Sequence, residues 1–268
     1  MQTTIKTILP SLVFLILGML FFLLLRSFSF PPIVGRFVFS VFATVCLYYL
    51  SKVFLGFEKI PLSAVHLVPN KATLMRLGIG IMIGMTIVGI MLIVLFNLTD
   101  LGIERVENQT LLLFLLAAIV FIPLALMEEL LFRGYPFFRL LQLINIRWVL
   151  LITATLFALY HYNSTQNIGS LLLGPGIWGV AFGVAAYLSK SIAVSLGMHI
   201  SANFLQALFG LKTDYTSMWA ITKTADPSNI GIDPELIGLI MQLFLLVVSI
   251  VILELFIKSK YSKRSEQE

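Results

Sequence analysis

Three ionisable residues, Glu128, Glu129 and Arg133, lie within six positions at the end of an apolar run. The run before them, residues 110–127, carries no charge. An ionised side chain at membrane depth costs about 2.5–3.5 kcal/mol on insertion scales, so such a group indicates a functional site. Glu129 and Arg133 are four residues apart, with the acid first, which is the favourable order for a helical ion pair. We therefore expect Glu129 and Arg133 to be supporting residues and Glu128 to be free for chemistry.

Further polar side chains stand in apolar sequence on two other segments. His161 ends one apolar run, and His199 and Asn203 lie inside another. His199 and Asn203 are four residues apart, so they project from one face of a helix. Phe157 and His161 have the same spacing. Three separate helices are thus predicted to supply a carboxylate, two imidazoles and a carboxamide.

This set of side chains suits the hydrolysis of a peptide bond. The Glu128 carboxylate and the His161 imidazole can hold a water and take its proton. His199 and Asn203 can donate hydrogen bonds to the oxyanion that develops on the scissile carbonyl.

The same residues also allow a metal mechanism. The HExxH motif of helix-borne zinc proteases is absent. A zinc ion bound by Glu128, His161 and His199 is nevertheless an open alternative, because two histidines, a glutamate and a water form a known catalytic shell. The sequence does not distinguish the metal-free mechanism from the zinc mechanism, so we assign no cofactor.

The composition predicts an all-α membrane protein. The chain has 268 residues, of which 59% are hydrophobic and 12% charged, with a mean hydropathy of +1.00. Soluble domains carry about 25% charged residues. The lipid bilayer is therefore the expected surrounding, and the net charge of +5 does not indicate nucleic acid. Nothing in the sequence indicates an oligomeric state.

Apolar runs of about 20 residues, the length of a spanning helix, recur along the whole chain. We expect a single integral membrane domain over residues 1–268, a bundle of about eight transmembrane helices with its catalytic core at 110–209. The expected spans are 7–25, 37–55, 77–97, 110–131, 148–162, 172–189, 191–209 and 236–257. The Gly174-Pro175-Gly176 sequence should break the sixth.

Charge asymmetry orients this bundle. Most of the 18 Lys and Arg residues fall at the termini and in the loops that an eight-helix bundle places on the same side. The positive-inside rule then puts both termini in the cytoplasm and the Glu128–Glu129 pair near the cytoplasmic end of the fourth span. Compact loops and the lack of an appended domain favour a bacterial plasma membrane.

Small residues and proline predict how the helices pack. Gly80 and Gly84, and likewise Gly179 and Gly183, should let neighbouring helices approach closely. Pro123 should kink the fourth span.

Two more features concern the interface. Residues 135–147 resemble a short amphipathic segment lying at the membrane surface. Glu254, deep in the last span, is expected to pair with Lys258 one turn further on.

Three motifs resemble those of one protein family. They are Glu-Glu-x-x-x-Arg (128–133), Phe-x-x-x-His (157–161) and His-x-x-x-Asn (199–203), and they stand in the family's order. They are similar to the motifs of the CPBP family, which comprises CAAX prenyl endopeptidases of the Ras-converting type and bacterial relatives linked to bacteriocin processing and immunity.

The resemblance implies an intramembrane endopeptidase that acts on a membrane-associated peptide or protein, with a site that opens toward the cytoplasm. It implies that Glu128 and His161 activate the water and that His199 and Asn203 form the oxyanion hole. Glu129, Arg133 and Phe157 would support them.

Two other functions compete with proteolysis. A non-proteolytic membrane interaction or bacteriocin-immunity protein could carry the same residues. A transporter or proton relay also uses intramembrane Glu and His, but no inverted repeat is visible and the titratable groups cluster in one region.

Overall fold

A computed structural model of the chain describes residues 2–26, 32–162, 167–223 and 231–265. Those residues are mostly helical, which confirms the predicted fold class. The helices are α1 (Gln2–Arg26), α2 (Pro32–Glu58), α3 (Thr73–Leu98), α4 (Leu111–Ala118), α5 (Phe121–Arg133), α6 (Tyr135–Leu140), α7 (Ile146–Tyr160), α8 (Ile168–Leu171), α9 (Ile177–Ser189), α10 (Ile192–Leu208) and α11 (Pro234–Ser265). A 3₁₀ turn occupies Leu62–Val65, a π-helical turn occupies Leu172–Gly176, and two strands are β1 (Leu101–Arg105) and β2 (Trp219–Lys223).

Apolar helices occur in all eight of the expected spans. Five of them, in the described part of the chain, are long and apolar enough to cross a membrane: 34–58, 73–98, 111–140, 168–189 and 234–260. Shorter apolar helices occupy 8–24, 146–160 and 192–208. Many large apolar side chains on the outside of the bundle are exposed, as expected where helices face lipid. The number of eight crossings stays a prediction.

The fourth span bends where Pro123 predicts it. Helix α4 ends at Ala118 and α5 begins at Phe121, so the break lies just before the proline. A proline ring clashes with the carbonyl four residues earlier, here Ile119, which caps α4. The apolar path then continues through α6 to Leu140. Helix α5 itself ends at Arg133, five residues after Glu128, so Glu128 lies near the end of this helix, and the side of the membrane on which that end lies stays a prediction.

Helix α6 is buried against the bundle, so the exposed amphipathic segment expected over residues 135–147 is wrong for 135–140, whereas Gln142, Asn145 and Arg147 are exposed. All six of its residues are buried. The Glu58 carboxylate at the end of α2 is the reason. It accepts hydrogen bonds from Tyr135 Oη at 3.0 Å and from Arg139 Nε and Nη2 at 3.1 and 3.0 Å. A bidentate arginine–carboxylate pair of this kind orients both partners and holds α6 against the bundle.

Helices α3 and α10 pack closely because glycines line their contact, as the Gly80 and Gly84 spacing predicts. A Cβ on Gly80 would collide with the Val194 backbone carbonyl, and one on Gly84 with the Ser201 hydroxyl and the Met198 carbonyl. Gly179 and Gly183 on α9 likewise meet residues of α7, namely Ala154 and Leu150. Helix α10, which carries His199, is thereby positioned against α3.

Two contacts between distant parts of the chain were not expected. Strands β1 and β2 pair antiparallel, with Leu101 opposite Lys223 and Arg105 opposite Trp219. Glu254 bonds to Arg147 and not to Lys258, as Arg147 Nε lies 2.8 Å from Oε1 and Nη2 lies 2.6 Å from Oε2. The predicted Glu254–Lys258 pair is therefore wrong.

Candidate active site

Glu129 and Arg133 form the ion pair that their spacing predicts. Arg133 Nη1 donates to Glu129 Oε1 at 3.1 Å, and both side chains have an exposed fraction of 0%. Arg133 Nη2 donates to the Gly179 carbonyl of α9 at 3.1 Å. His199 Nδ1 lies 3.0 Å from the same Glu129 oxygen. The pair therefore ties α5 to both α9 and α10.

The Glu128 carboxylate faces the two histidines. Its Oε2 lies 3.6 Å from His199 Nε2 and 3.8 Å from His161 Nε2. These distances exceed a direct hydrogen bond, and Oε2 is buried with no hydrogen-bond partner among the described residues. A water oxygen at hydrogen-bond distance of about 2.8 Å from both Glu128 and one imidazole fits this geometry.

The Nδ1 atoms of both histidines have oxygen partners. His161 Nδ1 lies 2.8 Å from the Phe157 backbone carbonyl, which can only accept, so Nδ1 carries the proton. His199 Nδ1 lies against the Glu129 carboxylate in the same way. Such partners fix the ring orientation and the tautomer of an imidazole. The two Nε2 atoms are thereby directed to Glu128.

Aromatic rings surround the charged groups. The Arg133 guanidinium lies 4.3 Å from the Phe157 ring centroid and 5.5 Å from that of Phe182. The Phe157 centroid is 4.6 Å from that of His161, and Phe182 stacks on His199 at 4.6 Å. Phe157 thus contacts Arg133 through its ring and His161 through both its ring and its carbonyl. Phe182 was missed in the sequence, where an aromatic residue in an apolar run is unremarkable.

Three of the four expected catalytic residues line one cavity of about 250 Å³, namely His161, His199 and Asn203. Glu128 is not among the residues that line it, but its Oε2 contacts two that do. The His161 side chain is 32% exposed, so the cavity is open to the surroundings.

Several polar residues of this cavity were missed. They are Gln206, Lys212 and Gln242. Gln206 follows Asn203 by three positions, so helical spacing could have predicted it. Gln242 is a polar residue in the last apolar run, and its buried Oε1 has no partner among the described residues. Lys212 lies in the loop after α10, where a single lysine carries no signal.

The cavity opens at the end of the bundle where α7 and α10 finish. His161 caps α7, and Lys212 follows α10. The Lys- and Arg-rich termini are predicted to lie at the other end. If those termini are cytoplasmic, the cavity opens away from the cytoplasm. The expectation of cytoplasmic termini and the expectation of a site that opens toward the cytoplasm are therefore incompatible.

The fit of a metal was tested on the ligand groups themselves. Within residues 2–26, 32–162, 167–223 and 231–265, no group of three or more His, Cys, Asp and Glu side chains is arranged to hold a metal ion. Glu128, His161 and His199 are close to one another but do not form such a group.

Comparison with known proteins gives one match. Residues 108–205 match the family model of the type II CAAX prenyl endopeptidase Rce1-like proteins. This stretch contains Glu128, His161, His199 and Asn203. No curated protein and no solved structure matches the chain. The match supports a CAAX-type intramembrane endopeptidase in general. Residues 108–205 are therefore similar to the Rce1-like family, which is consistent with the CPBP family that the three motifs resemble.

Proposed function

We propose that the chain cleaves a peptide bond of a membrane-associated protein or peptide with a water activated by Glu128 and His161. His199 and Asn203 stabilise the oxyanion. CAAX-like and lipidated substrates are the class that the Rce1-like match supports.

One observation carries the proposal. Of two adjacent glutamates, Glu129 is engaged by Arg133 and His199, whereas the Glu128 oxygen nearest the histidines has no hydrogen-bond partner among the described residues. A buried carboxylate oxygen without a partner is costly. Glu129 Oε2 is also buried without a partner among the described residues, but its carboxylate is already bound through Oε1 by Arg133 and His199. Such a group, beside two imidazoles and an open cavity, is suited to act as a general base.

In the proposed first step, water lies between Glu128 and His161. The neutral His161 accepts a hydrogen bond at Nε2 because its Nδ1–H donates to the Phe157 backbone carbonyl. Glu128 takes a proton from the water as the water oxygen bonds to the carbonyl carbon of the substrate. This orientation of the water supplies part of the rate enhancement, typically about 10²–10⁴-fold for general base catalysis.

In the same step the carbonyl oxygen becomes an oxyanion. The Asn203 amide can donate to it. His199 can donate from Nε2 when both ring nitrogens carry protons; its Nε2 lies 3.6 Å from Glu128 Oε2 and its Nδ1 lies 3.0 Å from Glu129 Oε1. Donors fixed in a site shielded from water stabilise this charge without reorganising. Glu128 then passes its proton to the leaving amide nitrogen, and the carbon–nitrogen bond breaks.

The proposal is tested by comparing new protein N-termini in membranes that carry the wild type or Glu128→Gln at matched expression. Glu104→Gln is the matched control, since Glu104 is exposed on β1. Termini that are present with the wild type and the control, and are absent with Glu128→Gln, would establish proteolysis and name the substrate.

The opposite result would favour the membrane interaction function. In that case the three membranes would carry identical termini, and any phenotype of expression would persist in the Glu128→Gln variant. Thermal unfolding of the purified variants would show that each has folded.

A further inference from the structure

A second, larger cavity lies apart from the active site. It is a groove of about 570 Å³ between α2, the connector after it, α5 and the first turns of α10. Side chains that line it include Val45, Tyr48, Leu67, Leu130 and Leu196. Most are apolar, and none belongs to the catalytic set. We call it the α2–α10 groove.

This groove is open on the outside of the bundle. Val45 and Tyr49, two of its residues on α2, are 48% and 59% exposed. Helix α2 lies in a candidate membrane span. An apolar groove at such a position meets hydrocarbon chains, because lipid rather than water surrounds a spanning helix.

Cations border one end of the groove. Lys52 Nζ lies 5.8 and 5.5 Å from the ring centroids of Tyr48 and Tyr49. His66 lines the groove, and both charged groups that act on it, Lys190 and Arg76, are cations. Together with burial, which is the largest cause, they lower the pKa of His66. Lys190 directly precedes Ser191, which also lines the groove.

We propose that the α2–α10 groove binds one anionic phospholipid, with an acyl chain against Leu67, Leu130 and Leu196 and the headgroup phosphate beside Lys52, Arg76 and Lys190. Basic pockets between spanning helices bind such headgroups, and aromatic residues favour the same depth of the membrane. The positive-inside rule places these cations on the cytoplasmic side, where anionic lipids are concentrated.

The bound lipid would contact two of the helices that carry catalytic residues, α5 and α10. Leu130 follows Glu129 on α5, and Leu196 lies one turn before His199 on α10. An acyl chain against both residues would therefore contact α5 and α10 close to Glu129 and His199, which already join these helices. Binding can be measured without proteolysis, so this proposal and the proposed activity succeed or fail independently.

The test uses native mass spectrometry of the full chain in detergent, titrated with dioleoylphosphatidylglycerol, dioleoylphosphatidylcholine or sn-glycerol 3-phosphate. We expect the phosphatidylglycerol to bind more tightly than the phosphatidylcholine, and the glycerol phosphate not to bind. Arg76→Gln and Lys190→Gln should each weaken phosphatidylglycerol binding about fivefold. Lys258→Gln, which removes an exposed cation of α11, is the control and should leave it unchanged.

A second pair of variants tests the apolar part. Val45→Trp places an indole in the groove and should weaken binding, whereas Val53→Trp should not. Val53 is matched because it is also on α2, is 50% exposed and does not line the groove. Both positions are exposed, so both variants should fold. Equal binding of the two phospholipids, binding of glycerol phosphate alone, or phosphatidylglycerol binding that neither set of groove variants weakens would overturn the proposal.

Discussion

Glu128 and Glu129 are neighbours in the chain, but their carboxylates lie in different surroundings. Glu129 Oε1 is 3.1 Å from Arg133 Nη1 and 3.0 Å from His199 Nδ1. Glu128 Oε2 faces the Nε2 atoms of His199 and His161 and has no hydrogen-bond partner among the described residues. Successive residues of a helix point about 100° apart. Glu129 therefore forms the structural ion pair, and Glu128 faces the histidines.

The Glu129–Arg133 pair should be essential for stability. Arg133→Met leaves the Glu129 charge buried without its partner, which typically costs about 3–5 kcal/mol. Denaturant unfolding of the purified chain in detergent measures the loss. The double variant Glu129→Leu, Arg133→Met should regain most of it but should not cleave substrate, because His199 loses its Nδ1 partner. A loss below about 1 kcal/mol in Arg133→Met, the range of a surface ion pair, would contradict this role.

The close approach of α3 and α10 predicts a difference between glycines of one helix. Gly80→Ala places a methyl group against the Val194 carbonyl and should destabilise the chain by about 1–3 kcal/mol. Gly89→Ala is the control, because a Cβ there meets nothing within 4 Å. It should be neutral or stabilise by up to about 1 kcal/mol through helix propensity. Equal effects of the two substitutions on unfolding would exclude tight packing at Gly80.

Lys212 should make the stability of the folded chain depend on pH in the alkaline range. Burial lowers its pKa below the ordinary value, Arg36 adds to this, and Glu128 and Asp214 oppose it. The folded state therefore disfavours the charged amine. This cost begins to shrink as the pH rises past the lowered pKa and is gone above the ordinary pKa. Lys212→Met should raise the melting temperature at pH 7, and the gain should shrink toward pH 10.5, the ordinary pKa.

The control for Lys212 is Lys223→Met, because the Lys223 side chain is 83% exposed. Lys223→Met should not raise the melting temperature by an amount that varies with pH. A Lys212→Met variant that is less stable than the wild type at pH 7 would mean that the amine is stabilised by its acidic neighbours.

The proposed glutamate mechanism predicts that cleavage survives removal of metal. After dialysis against EDTA and 1,10-phenanthroline, the rate on a substrate identified from the new N-termini should be unchanged, and metal analysis should find less than one zinc per chain. A rate lost on dialysis and restored by one equivalent of zinc would instead assign Glu128, His161 and His199 to a metal site.

The side on which the active site opens can be measured with cysteine labelling. Cys46 is the single cysteine, so Cys46→Ser provides a cysteine-free background. Thr213→Cys, next to Lys212, marks the cavity end, and Lys258→Cys marks the other. The positive-inside rule predicts that an impermeant maleimide added to intact cells labels Thr213→Cys alone. Labelling of Lys258→Cys alone would mean that the cavity faces the cytoplasm.

The sequence by itself determined the fold class and the Glu129–Arg133 pair, although the same spacing failed for Glu254 and Lys258. Composition and apolar runs predicted a helical membrane bundle, and the helical period predicted the Glu129–Arg133 pair and the close contact at Gly80. Pro123 predicted the bend in the fourth span. These features depend on the composition of one segment or on residues within one or two turns, so the helical repeat alone specifies them.

Only the tertiary structure decided which distant groups meet. It buried α6 through Glu58, paired Glu254 with Arg147, brought Lys212 and Gln242 to the cavity, and directed His199 to both glutamates. His199 and Glu129 are 70 positions apart. Their contact depends on how α3, α5, α9 and α10 pack, and helical periodicity specifies which face a residue occupies but not which helix lies opposite that face.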